Sequence, residues 1–121
     1  MVVGTLSSAE ADRVFQALAD STRRDILTRA IEREQSVSSL AGRYEMSFAA
    51  VQKHVAVLER AGLVHKQRYG REQIVHANPP TLRRAMALLD DYEQLWIQRA
   101  TQIADLLAGE EGEEHGSYQH P

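Results

Sequence analysis

Apolar residues recur at intervals of three and four over most of the chain, and this periodicity predicts a mainly α-helical protein. Two helices are predicted first, over residues 8–19 and from Ser21 onward, where Asp20 suits the N-cap position. A short third helix is predicted over residues 37–44, with Ser36 as its cap. The apolar positions that define these helices are Ala11, Val14, Phe15, Leu18, Ile26, Leu27, Ile31, Val37, Leu40 and Ala41.

The fourth predicted helix, over residues 47–61, has two unlike faces. Ser47 suits its N-cap, Gly62 fits the left-handed residue that commonly ends a helix, and one face is apolar through Val51, Val55 and Leu58. At about 100° per residue, the opposite face carries small residues, one amide and two cations: Ala49, Gln52, Lys53, Ala56 and Arg60. Such residues permit close approach to base edges and pairing with adenine, guanine or phosphate. The face predicts a DNA-reading helix, with a plain amphipathic core helix as the alternative.

A basic hairpin follows this helix. Residues 63–77 fit two short strands joined by a tight reversal at Gly70, with Lys66, Arg68 and Arg71 on or beside the tip. Arginine at such a tip suits phosphates or a narrow minor groove, where the negative potential attracts it. A reading helix with a basic hairpin beside it predicts a mainly α winged helix-turn-helix fold with a two-stranded wing.

Three segments and this hairpin carry a likeness to a known family: VFQALADSTRRDIL, SVSSLAGRYEMS and AAVQKHVAVLERAGLV. In this order and spacing they resemble the ArsR-type bacterial repressors, dimeric winged helix-turn-helix proteins, over about residues 10–107. The resemblance implies that residues 47–57 enter the major groove and that the hairpin touches flanking backbone or minor groove. It also implies that the outer helices form a dimer.

On the reading helix, we expect Gln52 and Lys53 to contact bases or lie next to them, with Ala49 close to the groove floor. Ser47 and His54 are expected to contact phosphates. We expect the preference for a particular DNA sequence to come from Gln52 and Lys53, because amide and ammonium groups can pair with base edges.

Two arginines and one aromatic residue complete the predicted interface. Arg68 and Arg71 are expected to anchor the hairpin to DNA. Phe48 stands at the groove end of the reading helix but also flanks its apolar stripe. We therefore predict that Phe48 contacts DNA, and packing of its ring against the apolar stripe is the alternative that stays open.

Metal binding is where the sequence departs from the metal-sensing members of the family, which carry thiolates before the reading helix or paired His and Asp on the last helix. The chain has no cysteine, which excludes soft thiolate sites, and its last predicted helix has no histidine. His65 and His76 lie on the two hairpin strands and are interpreted as structural, whereas His115 and His120 lie in an acidic tail. We predict no metal and no cofactor. The alternative is a metal-responsive repressor that uses His and carboxylate ligands.

The last predicted helix, residues 81–108, indicates a homodimer. Its apolar positions form a wide stripe of Leu82, Met86, Leu88, Leu89, Tyr92, Leu95, Trp96, Ile103, Leu106 and Leu107. A domain this small cannot cover so wide a stripe by itself, so we expect a second copy of the chain to do so. The predicted interface consists of Val14, Phe15, Leu18, Leu89, Tyr92, Trp96 and Ile103. Two-fold symmetry would place two reading helices about 34 Å apart, as an inverted repeat requires. A monomer whose last helix folds back is the alternative.

The charge distribution is compatible with DNA binding. The chain has 121 residues and a formal charge of −3, but the last 17 residues hold five acidic and no basic residues besides histidine. The first 104 residues therefore carry a net charge of +2. We predict one domain over residues 1–108 and an acidic, disordered tail over 109–121.

Several other classes of protein find little support. We see no secretory segment and no membrane-spanning run, which favours a cytoplasmic location and no membrane partner. The chain has no phosphate-binding loop and no recognisable nucleophile motif, so an enzyme is not expected. A winged helix that binds protein instead of DNA is the rival interpretation. The sequence leaves open whether a small-molecule effector, a partner protein or neither releases the DNA.

Overall fold

The computed structural model describes residues 5–115. In chain order, this part contains α1 (Ser8–Leu18), α2 (Ser21–Glu32), β1 (Gln35–Ser36), α3 (Val37–Ala41), α4 (Phe48–Arg60), β2 (Val64–Tyr69), β3 (Glu72–Ala77) and α5 (Pro79–His115). The mainly helical winged helix-turn-helix fold that the periodicity predicts is therefore confirmed. Among the helices described, none has the length and apolar character that crossing a bilayer requires.

Side-chain caps explain where three of the helices begin. Asp20 accepts a hydrogen bond from the backbone N–H of Arg23 (3.0 Å), which helps to lower the pKa of the Asp20 carboxyl. Ser36 and Ser47 cap α3 and α4 in the same way, each accepting from the amide three residues later. All three caps are confirmed.

The hairpin forms with the predicted reversal, and a third strand joins it. β2 and β3 pair antiparallel, and Gly70 takes a φ of 60° in the loop between them. β1 adds two residues to the outer side of β3, with Gln35 opposite Val75. The prediction of a two-stranded wing missed β1 because a two-residue strand is too short to show alternation.

The core surrounds α4. Fully buried side chains come from the first four helices, from both strands of the hairpin and from the link before it: Val14, Ile26, Leu40, Val51, Val55, Leu58, Leu63, Val64 and Val75. Val14 was expected at the dimer interface. This expectation is wrong, because the side chain is 0% exposed within its own chain and offers no surface to a partner.

The chain divides into two compact units, Met1–Met86 and Ala87–Pro121. The boundary lies inside α5, whereas the sequence predicts one domain over residues 1–108. Helix α5 also continues to His115, so the predicted disordered tail over residues 109–121 begins within a helix. Residues 116–121 of that predicted tail lie outside the described residues.

Candidate nucleic-acid interface

Helix α4 has one buried and one exposed face, as its pattern predicts. Val51, Val55 and Leu58 are 0% exposed, which fixes the helix against the core. The exposed positions on the predicted reading face are Ala49, Gln52, Lys53 and Arg60, and Ala56 is half-buried. Because this face is rich in small and polar groups, it offers hydrogen-bonding side chains that can reach base edges and phosphates in a groove.

The wing presents two exposed cations. Arg68 is near the end of β2, and Arg71 is in the loop beside Gly70. Lys66 lies lower on the wing and is engaged elsewhere, since its Nζ lies 3.7 Å from Glu59 Oε1 and its backbone N–H donates to Glu59 Oε2. This contact ties the base of the wing to the end of α4. The charge available to a ligand is therefore concentrated toward the wing tip.

A cleft of about 230 Å³ brings the predicted residues of α4 and of the wing together. It is lined by Val37, Ser38, Phe48, Gln52, Arg68, Arg71 and Gln73. Ser38 and Gln73 could not be predicted from the sequence, because neither stands in a motif and only the packing of α3 and β3 places them here. The cleft combines two guanidinium groups with amide and hydroxyl groups, which suits contact with a nucleic-acid backbone and adjoining bases.

Phe48 is not part of the core. Its side chain is 47% exposed, although it is the first residue of α4 and stands one turn before Gln52. Packing against the apolar stripe, one of the two alternatives that the sequence leaves open, stays a prediction, because about half of the ring is covered by its own chain. DNA contact by Phe48 stays a prediction.

His54 is half-buried and is held by Arg23, which its sequence position did not mark as part of the interface. Arg23 donates to the carbonyl oxygens of Ala17 (2.7 Å) and Gln16 (2.9 Å) at the end of α1. Its Nη1 also lies 3.3 Å from Nδ1 of His54. Because a guanidinium can only donate, Nδ1 accepts and the ring proton of neutral His54 lies on Nε2. Nothing in the sequence pairs these residues, which are 31 positions apart.

Tyr44 anchors the turn between α3 and α4. Its hydroxyl donates to Oδ2 of Asp25 (2.5 Å), and Arg29 Nε donates to the same oxygen (2.8 Å). Both hydrogen bonds lower the pKa of Asp25, the one from Tyr44 most. Burial and the bond to Asp25 raise the pKa of Tyr44 to about 12. The turn is thereby tied to α2.

A second tie joins the end of α4 to the start of α5. Gly62 has a φ of 78°, as expected for the residue that ends the helix, and a Cβ there would meet Thr81 Oγ1 at 3.1 Å. Asn78 Nδ2 donates to the carbonyl oxygen of Gly62 (2.7 Å). The reading helix is thus fixed at its beginning by the Tyr44 contact and at its end by Asn78.

The hairpin histidines stack on each other. His65 and His76 face each other across β2 and β3, with ring centroids 4.8 Å apart and planes inclined by 10°. Glu34 Oε1 is 3.7 Å from His76 Nδ1. Among the side chains that the structure describes, no group of three or more His, Asp or Glu residues is arranged to hold a metal ion. Nothing in this geometry favours the metal-responsive alternative.

Large apolar side chains are exposed on α5 beyond Met86. Leu89, Tyr92 and Trp96 are each more than half exposed, and Ile103 is 40% exposed. These are the four positions of this helix that the sequence assigns to a dimer interface. Phe15 and Leu18 on α1 are half-buried. The interface assignment stays a prediction.

The fold and the site together define a winged helix-turn-helix protein with a polar, partly basic reading surface. Residues 20–66 match the family described as "Bacterial regulatory protein, arsR family". The HTH-type transcriptional regulator Rv2034 of Mycobacterium tuberculosis is 35% identical over 99 residues, which cover 82% of this chain and 90% of that protein.

Two solved structures are similar as well. An ArsR-like transcriptional regulator from Rhodococcus sp. RHA1 is 37% identical, with a TM-score of 0.72 and coverage of 81% of this chain and 92% of that one. A homodimeric winged helix-turn-helix DNA-binding domain from Mycobacterium bovis shares the fold at 23% identity, with a TM-score of 0.58 and coverage of 93% and 89%. The chain belongs to the ArsR family of bacterial regulatory proteins, and it is a transcriptional regulator with a winged helix-turn-helix DNA-binding domain.

Proposed function

We propose that the protein is a homodimeric transcriptional repressor that binds an inverted-repeat operator, with one α4 helix in each half-site. The observation that carries this proposal is the cleft in which Gln52 of α4 lies together with Arg68 and Arg71 of the wing. A groove-reading amide beside two backbone-binding cations is the combination that sequence-specific DNA binding needs.

The residue roles follow from exposure. Gln52 and Lys53 are exposed on the reading face and are assigned to base edges, with Ala49 close to the groove floor. Ser47 is exposed at the first turn, where its hydroxyl can donate to a phosphate while its oxygen caps α4. His54 is assigned to a phosphate through the N–H on Nε2.

Dimerisation is supported by the exposed side chains on α5. Leu89, Tyr92, Trp96 and Ile103 would leave a large apolar surface in water unless a second chain covered it. The Mycobacterium bovis neighbour, which shares the fold, is described as homodimeric. A two-fold dimer would present two reading helices about one DNA turn apart, near 34 Å, which an inverted repeat matches.

Repression is the mode that requires least beyond binding. A dimer that covers promoter DNA blocks access by occupancy, and this needs only the interactions assigned above. In a transcription assay on a promoter that contains the operator, we expect added protein to lower the transcript yield. An increase in transcript yield would overturn the repressor assignment and leave DNA binding intact.

The test of DNA binding is selection of bound fragments from the source genome, followed by affinity measurement over a range of salt. We expect an operator with two-fold symmetry and an affinity that falls steeply with salt, because phosphate contacts release counterions. A protein-binding winged helix would show apolar docking with little salt dependence and no enriched fragment. That result would overturn the proposal.

A further inference from the structure

Phe48 is the exposed apolar side chain of a cleft whose lining is mostly polar, since Val37, the other apolar residue there, is only 3% exposed. The ring is 47% exposed, and the other lining residues of the reading helix and the wing are Gln52, Arg68, Arg71 and Gln73. The exposed part of the ring leaves apolar surface in water. Because the ring lies in the candidate DNA cleft, an apolar group of the bound DNA can cover it.

The place of Phe48 on the helix restricts which part of DNA it can meet. It is the first residue of α4, and the N-terminal residues of a reading helix are those that contact base edges. The major groove admits an α-helix, whereas the minor groove is only about 6 Å wide. A side chain on α4 therefore meets the major-groove edge of the bases.

One group on that edge is both apolar and specific to a base, the C5-methyl group of thymine. We propose that Phe48 packs on the methyl group of a thymine in each operator half-site. This inference rests on the proposed function and adds the identity of one base pair to it. Phe48 is thereby a specificity-determining residue that acts through apolar contact instead of hydrogen bonding.

The register between this thymine and the base paired with Gln52 follows from helix geometry. Phe48 and Gln52 are four residues apart on one face, so their Cβ atoms are about 5–6 Å from each other. Successive bases are about 3.4 Å apart along a strand. The thymine therefore lies one or two base pairs from the base that Gln52 contacts.

The experiment replaces thymine by uracil, which removes the methyl group and leaves base pairing unchanged. In the selected operator, each thymine of one half-site is replaced in turn, and Kd is measured for wild type and for Phe48→Ala. For wild type, we expect one position at which uracil weakens binding about four-fold, which corresponds to about 0.8 kcal/mol for one buried methyl-sized group. For Phe48→Ala, we expect thymine and uracil to bind equally at that position.

Three controls make the result specific. Phe48→Leu keeps an apolar side chain and should retain part of the preference for thymine, which separates direct packing from a folding defect. Ile31→Ala removes an exposed apolar residue of α2, 55% exposed, and should keep the full effect of uracil substitution. Circular dichroism establishes that each variant is folded.

The outcomes are separable. If wild type shows no position sensitive to uracil, or if Phe48→Ala keeps the same sensitivity, the thymine assignment is wrong while DNA binding stands. A sensitive position more than two base pairs from the one that Gln52→Ala alters also contradicts it. If wild type binds no duplex at all, the proposed function itself fails, and the thymine assignment fails with it.

Discussion

Two regions of this protein leave side chains exposed, and they do so with opposite chemistry. On α4 and the wing, most of the exposed groups are amides, cations and small residues, among them Gln52, Lys53 and Arg71, with Phe48 and Tyr69 as the large apolar exceptions. On α5 beyond Met86, they are large and apolar, with Trp96 at 68% exposure and Tyr92 at 62%. When DNA is absent, water forms hydrogen bonds with the polar groups of α4 and the wing. Contact of water with the apolar side chains of α5 is unfavourable.

The difference indicates two kinds of association. Association of two chains through an apolar surface depends little on salt, so the dimer should persist over a wide range of ionic strength. The polar surface binds through phosphates and bases, so its complex should respond to ionic strength. If this division is correct, substitutions in the two regions should give different signatures.

The largest effect is expected from Leu89→Asp combined with Trp96→Asp. Charges at two exposed apolar positions should prevent a second chain from packing on α5, so the variant should be a monomer in analytical ultracentrifugation. DNA affinity should fall by about 10²–10⁴-fold, because each monomer then binds one half-site without the benefit of the second.

The matched control for this pair is Gln94→Asp combined with Gln98→Asp, which places the same charges on the opposite side of α5. This variant should stay dimeric and bind DNA nearly as wild type does. If the apolar pair also leaves the dimer intact, the comparison between the two regions is wrong.

The next largest effect is expected from Gln52→Ala. Removal of an amide that pairs with a base should cost roughly 1–3 kcal/mol per half-site and relax sequence preference at one position of the operator. Binding of scrambled DNA should change little, because the interactions with phosphates remain. Equal weakening on operator and scrambled DNA would contradict the assignment of Gln52 to bases.

A smaller effect is expected from Arg71→Ala. The plot of log affinity against log salt should flatten by about 0.9 for each phosphate that the wing no longer neutralises, which amounts to about five-fold in affinity at 0.15 M salt. Operator and scrambled DNA should be affected alike. Should Arg71→Ala and Gln52→Ala behave identically, the division of labour between wing and reading helix would be refuted.

The smallest effect is expected from Tyr44→Phe, which alters neither exposed region. Removal of the hydrogen bond to Asp25 should lower the free energy of unfolding by about 1 kcal/mol, since Asp25 is partly exposed to water. Urea unfolding measures this decrease. The dimer should stay intact.

The pH dependence of that variant has a defined sign. The folded pKa of Asp25 lies below its ordinary value of 3.8, so its contribution is present above that pH and is lost as pH falls through the folded pKa. The folded pKa of Tyr44 is about 12, above the ordinary 10, so its contribution is lost as pH rises from 10 to 12. The advantage of wild type over Tyr44→Phe should therefore be widest near neutral pH and become smaller at both extremes.

Elements with local signals could be predicted from the amino-acid sequence alone. Caps act over three residues, helical periodicity over a few turns, and the glycine of a hairpin within its own loop, so Asp20, Ser36, Ser47 and Gly70 were identified without any structure. The same periodicity identified the buried and exposed faces of α4.

Contacts between groups that are distant in the sequence emerge only when the elements pack together. Val14 is buried instead of facing a partner, β1 pairs with β3, and Arg23 holds His54 across 31 residues. Periodicity says that a residue is apolar and on a given face, but it does not say whether its own chain or another chain covers that face. The exposure of Phe48 was likewise decided by packing, because whether a ring at the edge of an apolar stripe is covered depends on neighbouring elements that lie far away in the sequence.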